Sequence, residues 1–171
     1  MSDRVGHSFV IAIYPNSNGI AFVVFEGPQS LVDWGGRGAT YKHSHRRLLK
    51  VIAALLDRYH PAILILQNTK LGGTSRNPRI RKLNTAIASL ANERGIAIHS
   101  YSRKDVQKAF VPFRAITKAG IAEAIAKQVP PFARLVPPPR KPWHSEHRRM
   151  GLFDAAALAL TFFHDRAAHM K

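Results

Sequence analysis

The stretch from Ser8 to Tyr14 reads SFVIAIY and stops at Pro15, where the polar sequence PNSNG (residues 15–19) begins. Its apolar and partly β-branched character predicts a buried β-strand followed by a turn. A second apolar stretch, IAFVVFE, runs from Ile20 to Glu26, and a third, shorter one runs from Ser30 to Trp34. Strands joined by turns this short predict an antiparallel meander.

The remainder of the chain alternates helical and strand patterns. Apolar residues recur at helical spacing from His45 to Tyr59, and Ala62 to Gln67 (AILILQ) is typical of a parallel strand covered on both faces. The other predicted elements are a helix with the apolar stripe Ile80, Leu83, Ile87 and Leu90, a strand over Ile96–Tyr101, helices over Arg103–Phe110 and Lys118–Val129, and a buried helix from Glu146 to about Ala168. This order predicts an α/β fold with a mixed five-stranded sheet and helices on both faces.

Residues 130–142 contain six of the eleven prolines together with several basic residues. Proline removes the backbone donor that a helix needs, so we predict an extended basic linker before the last helix. Trp143 follows this segment. It could stack on a nucleic-acid base, but a tryptophan in such a stretch more often attaches it to the core, and we favour the core position.

Length and composition indicate one folded domain over residues 1–171, since 46% of the residues are hydrophobic. The chain has no cysteine, which excludes disulfides and thiolate zinc sites and favours a reducing compartment, the cytoplasm. The apolar run from Phe9 to Tyr14 is too short for a signal peptide or a membrane span, so we expect neither secretion nor insertion into a membrane.

Charge gives the first indication of function. Lys and Arg number 26 against 10 Asp and Glu, a formal net charge of +16. A field of this sign and size attracts phosphates, which makes nucleic acid the leading partner. An acidic protein or an anionic membrane surface is the alternative.

Four short pieces of the chain together resemble the RuvC-type Holliday-junction resolvases of the RNase H-like fold. They are IAIYP at Ile11–Pro15, ILILQ at Ile63–Gln67, Thr117-Lys118 before a helix, and FDAA at Phe153–Ala156. The resemblance covers most of the chain and implies an RNase H-like domain that acts on branched DNA. It also implies a homodimer, because a four-way junction has two equivalent strands to cut.

The same resemblance implies a site for two divalent metal ions, held by acids at the ends of strands one and four and in the last helix. In this chain those positions are Tyr14, Gln67 and Asp154, and the position one turn before Asp154 is Gly151. Phenol and amide groups are neutral at pH 7, and two dications need several anionic oxygen ligands. We therefore expect no metal and no cofactor, and a lost nuclease activity.

Three readings of Asp154 remain open. It caps or salt-bridges within its helix, or it accepts hydrogen bonds from Tyr14 and Gln67, which we favour, or it serves an active nuclease. In the last case Glu146 or His147, near the start of the same helix, would help to hold one displaced Mg²⁺ or Mn²⁺ ion.

Basic residues surround the predicted site in sequence. They are Arg76, Arg79, Arg81 and Lys82 after a glycine-rich loop, Lys118 at the position where the resemblance implies a contact to the scissile phosphate, and Arg140 and Lys141 in the linker. Each of these side chains is alternatively part of a solvated face. The pair His43 and His45 extends the basic surface and would strengthen it at lower pH.

We accordingly predict a RuvC-like domain that binds structured or branched DNA and lacks metal-dependent cleavage. The alternatives are an active endonuclease with a non-standard metal site and a non-catalytic accessory subunit of a DNA-processing complex.

Overall fold

The computed structural model describes residues 8–17, 19–38, 44–69, 77–139, 141, 143–144 and 149–171. The strands are β1 Val10–Asn16, β2 Gly19–Gly27, β3 Ser30–Gly38, β4 Ile63–Gln67 and β5 Ala97–Tyr101. The α-helices are α1 Ser44–Tyr59, α2 Pro78–Glu93, α3 Arg103–Phe110, α4 Lys118–Gln128 and α5 Met150–His169. Two short 3₁₀ helices span Val111–Phe113 and Pro130–Arg134.

The five strands form one mixed sheet in the order β3-β2-β1-β4-β5. The first three strands pair antiparallel as the predicted meander, whereas β4 pairs parallel with both β1 and β5. The predicted α/β class and the five-stranded mixed sheet are therefore confirmed.

Helices cover both faces of the sheet. Alternate residues of β1 point to opposite sides, so Val10, Ala12 and Tyr14 join a core with α3, α4 and α5, while Ile11 and Ile13 join a core with α1 and α2. The predicted buried C-terminal helix is confirmed, because α5 is buried almost continuously from Gly151 to Phe162. None of the described helices is both long and apolar enough to cross a membrane.

The meander differs from its prediction at two turns. β1 continues through Pro15, which lies opposite Ile20. This is possible because β1 pairs with β4 only as far as Ala12, so the missing donor of Pro15 lies on an open edge. β3 extends past the predicted end at Trp34 because Gly35 fits beneath the Phe22 ring, where a β-carbon would lie 3.1 Å from the ring.

The prediction of an extended linker over residues 130–142 is wrong for its first five residues. Residues 130–134 form a 3₁₀ helix, which tolerates proline in its first turn. Phe132 is fully buried there, with its ring 5.3 Å from Phe153 and 6.1 Å from Trp34 between centroids. This aromatic contact anchors the segment to the core.

The last helix begins at Met150 in the described part of the chain, four residues later than predicted. Glu146, where the helix was predicted to begin, lies outside the described residues.

Candidate nucleic-acid site

The parallel pairing of β1 and β4 brings Tyr14 and Gln67 side by side. Ala12 lies opposite Ile65 in the sheet, and two residues further along each strand come Tyr14 and Gln67. Both residues lie on the face of the sheet that α5 covers, since side chains two residues apart share a face. Two positions that are 53 residues apart in sequence thus meet at one edge.

Asp154 reaches the same place from α5 and forms an ion pair with Lys118. The Lys118 Nζ lies 3.5 Å from Asp154 Oδ2, with the two side chains 36% and 14% exposed. Thr117 caps α4 by accepting a hydrogen bond from the Gly120 amide at 3.0 Å, which fixes Lys118 as the first helical residue. A cation is unfavourable at a helix N-terminus, so the Asp154 carboxylate offsets an otherwise poor position.

These four side chains line a single cavity of about 440 Å³. Its polar lining consists of Tyr14, Gln67, Arg103, Gln107, Lys118 and Asp154. Its apolar wall is formed mainly by Val106, Ile116, Ile121, Met150, Phe153 and Leu158. The predicted trio of Tyr14, Gln67 and Asp154 thus lies around one space, and Lys118 stands among them.

Gly151 allows α5 to approach the hairpin of β1 and β2 closely. A β-carbon on this buried glycine would lie 2.8 Å from the Asn16 side-chain nitrogen and 3.4 Å from Ala21 Cβ. Any larger residue at this position requires the Asn16 amide to move. The place where the resemblance implies a further metal ligand is therefore occupied by an amide of β1.

The side chains around the cavity do not fit a pair of divalent ions. Among the described residues that line it, Asp154 is the only carboxylate, and this carboxylate is paired with the Lys118 ammonium. No cluster of three or more His, Asp or Glu side chains suited to a metal ion occurs in the described ranges. A divalent ion at this place would have one carboxylate ligand, Asp154, which is already paired with the Lys118 ammonium. Hard divalent ions require several oxygen ligands that together carry a comparable negative charge.

Gln67 also presents an unsatisfied acceptor. Its Oε1 atom is buried and has no hydrogen-bond partner among the described residues. Its backbone carbonyl accepts from Asn84 Nδ2 at 2.9 Å, which ties α2 to the end of β4.

The neighbouring strand ends at Tyr101, where burial and the nearby Asp165 carboxylate raise the phenol pKa to about 12. That phenol is neutral at physiological pH.

The basic residues at the start of α2 are exposed. Arg79, Arg81 and Lys82 occupy its first turns, and Asn77 caps the helix by accepting from the Arg79 amide at 2.9 Å. Partial burial, together with repulsion from Arg79 and Lys82, lowers the pKa of His45. The N-termini of α1 and α2 are thus close enough to form one basic surface.

Several predicted residues lie outside the described part of the chain. They are Arg76, Arg140, Glu146, His147 and His43.

The favoured core position of Trp143 is wrong. Its side chain is 75% exposed, and the Lys141 ammonium lies 5.5 Å from the centre of its ring. Phe132 instead supplies the aromatic anchor of this segment, which leaves Trp143 at the surface beside a cation.

Sequence reasoning missed Arg103, Gln107 and Ile116 as lining residues. Ser102 and Asp105 form a capping box, in which the side chain of each accepts a hydrogen bond from the backbone amide of the other, and this makes Arg103 the first residue of α3. That signal was available in the sequence. The approach of α3 to the cavity was not, since it depends on how α3 packs against α5.

The fold is that of known Holliday-junction resolvases. RuvC of Thermus thermophilus, whose structure in complex with a Holliday-junction substrate is known, superposes with a TM-score of 0.65 at 20% identity, covering 94% of this chain and 96% of RuvC. The yeast mitochondrial resolvase Ydc2 has a TM-score of 0.59 at 12% identity, covering 95% of this chain and 81% of Ydc2. The fowlpox virus resolvase has a TM-score of 0.53 at 13% identity over 92% and 99% of the two chains.

These likenesses establish the RNase H-like fold of the RuvC type, as the sequence predicted. No protein-family model matches the chain, and no curated protein matches it by sequence.

Proposed function

We propose that this chain, as a single RNase H-like domain, binds branched DNA and does not cleave it through divalent metal ions. One observation carries the proposal. The carboxylate of Asp154, which the resemblance makes a metal ligand, is paired at 3.5 Å with the ammonium of Lys118. The two other side chains at the implied metal positions, those of Tyr14 and Gln67, are neutral.

Charge and fold support the binding part of the proposal. The formal net charge is +16, and exposed cations lie both at the start of α2 and at the cavity. Structural neighbours with the same fold include RuvC and the fowlpox virus resolvase, both known in complex with Holliday-junction DNA. Phosphate contacts give affinity and orientation without reading bases, so we expect recognition of branch shape with little sequence preference.

The ion pair at the cavity gives Lys118 two roles in this proposal. In the free protein its ammonium neutralises Asp154. When DNA binds, the same ammonium and the Arg103 guanidinium face a backbone phosphate at the mouth of the cavity. The role that a dication has in a nuclease, neutralising the phosphate charge, then falls to a side chain, but an ammonium supplies no hydroxide for hydrolysis.

The test compares binding and cleavage of a labelled four-way junction with those of a linear duplex. We expect the junction to bind more tightly than the duplex, with the same affinity in EDTA and in Mg²⁺ or Mn²⁺ at constant ionic strength. We expect no cleavage in either metal. Junction cleavage that is abolished by Asp154→Asn would contradict the proposed loss of activity.

The accessory-subunit alternative gives a different result. Co-purification of a stoichiometric protein partner, with no retention of the chain on heparin at moderate salt, would favour it over direct DNA binding.

We also propose, from the two-fold character of a four-way junction, that the chain binds as a homodimer. Analytical ultracentrifugation with and without the junction checks this.

A further inference from the structure

The cavity around Tyr14, Gln67 and Lys118 is larger than a phosphate contact requires. Its volume is about 440 Å³, within the range of roughly 300 to 1,000 Å³ typical of small-molecule sites. A single phosphate group would leave most of this space unfilled.

The lining of the cavity combines charged and apolar side chains. It includes two cations, Arg103 and Lys118, which suit an anionic group. Its apolar members include Phe153, which is buried, and Ile116, which is 69% exposed. A large, exposed apolar side chain in the lining of a charged cavity suits a ligand that has a flat apolar body as well as an anion.

An unpaired hydrogen-bond acceptor in the cavity lining favours a nucleotide over a phosphate alone as the ligand. Gln67 lines the cavity, and its buried Oε1 has no hydrogen-bond partner among the described residues. Buried polar atoms are normally paired, and the oxygens of an ionised phosphate only accept hydrogen bonds. A nucleobase has ring N–H or amino groups on its edge, and these donate.

We infer that the cavity takes one unpaired nucleotide of a DNA branch point. Its base packs against Ile116 and the other apolar lining residues, it donates to Gln67 Oε1 once the amide turns toward the cavity, and its phosphate faces Lys118 and Arg103. The inference rests on the proposed function and deepens it, because it states which feature of branched DNA the domain recognises. No covalent step is involved.

The probes are two four-way junctions of the same sequence, one fully paired and one with a single extra unpaired nucleotide at the branch point. Burying one base against apolar side chains removes apolar surface from water, so we expect the junction with the unpaired nucleotide to bind about tenfold more tightly, which corresponds to about 1.4 kcal/mol. With 2-aminopurine as the unpaired base, binding should change its fluorescence as the base leaves the helix stack.

Ile116→Ala and Gln67→Leu should each reduce the tenfold preference, measured as the ratio of the two affinities, to about twofold. Val111→Ala is the matched control. Val111 belongs to the same connection between α3 and α4 and is 60% exposed, but it does not line the cavity. It should leave both affinities unchanged. Because Ile116 and Val111 are exposed, neither substitution should alter the melting temperature.

Equal binding of the two junctions by the wild-type chain, or a loss of preference in Val111→Ala as large as in Ile116→Ala, would overturn the nucleotide site and leave the proposed function standing. Failure to bind either junction would instead overturn the proposed function, and the nucleotide site with it.

Discussion

Replacing Lys118 by methionine removes the cation that faces Asp154 and keeps most of the volume of the side chain. The carboxylate is only 14% exposed, so it loses its charged partner in a place where water replaces that partner poorly. The reciprocal change, Asp154→Asn, leaves an ammonium that is 36% exposed and partly hydrated. The two single substitutions should therefore have unequal costs.

The structure sets the size of the effect between two limits. Exposed ion pairs contribute about 0.2–1 kcal/mol, whereas removing one partner of a fully buried pair costs about 3–5 kcal/mol. With one side chain largely buried and the other a third exposed, we expect Lys118→Met to lower the free energy of unfolding by about 2 kcal/mol. We expect Asp154→Asn to lower it by about 1 kcal/mol.

Urea unfolding of the two single variants and the double variant, at one fixed salt concentration, measures the coupling between the side chains. The double variant should cost about 2 kcal/mol, which corresponds to a coupling of about 1 kcal/mol. The ion pair of Arg94 and Asp57 is the matched control. Its 2.8 Å separation is shorter, but Asp57 is 63% exposed, so its coupling should be smaller.

Additive effects of the two single substitutions would refute this reasoning, since they would mean that Lys118 does not neutralise Asp154 in solution. A larger coupling for the exposed Arg94–Asp57 pair would refute it as well, because distance rather than burial would then decide the strength.

Three further predictions follow from other parts of the molecule. Burial lowers the pKa of His164 from its ordinary value of 6.5. Near and below that pH the folded state therefore binds fewer protons than the unfolded state, and the free energy of unfolding should fall as the pH drops below about 6.5. His164→Phe should flatten this part of a pH series of thermal melts, and an unchanged series would contradict the assignment. Gly151→Asp should lower the free energy of unfolding by about 2 kcal/mol or more, because its β-carbon would meet a side-chain amide of β1 at 2.8 Å and its carboxylate would be buried; a wild-type denaturation curve would exclude this close approach. Arg79→Ala and Lys82→Ala should each reduce the slope of log affinity against log salt for junction binding by about 0.9, the value for one phosphate contact. Arg58 lies at the opposite end of α1 from these cations, so Arg58→Ala should leave the slope unchanged.

The sequence predicted the order of the elements because its signals there are local. The apolar run from Ile63 to Gln67 has the character of a central parallel strand, and the Ser102–Asp105 capping box marks the start of α3 to the residue. The errors occurred where a distant partner decides the local structure. Glycine is typical of turns, but Gly35 belongs to β3, which continues past it along the nine residues of β2. Phe132 lies in a segment predicted to be an extended linker, and its burial depends on contacts with the rings of Trp34 and Phe153.

The sequence by itself determined the fold class, the strongly positive charge, and the absence of acidic side chains at positions 14 and 67, since these depend only on residue type and short-range pattern. Only the tertiary structure decided that Lys118 neutralises Asp154, that an amide fills the space beside Gly151, and that Arg103, Gln107 and Ile116 line the cavity. These are contacts between groups far apart along the chain, and their existence depends on the packing of α3, α4 and α5 against the sheet, for which no local pattern of residues provides a signal.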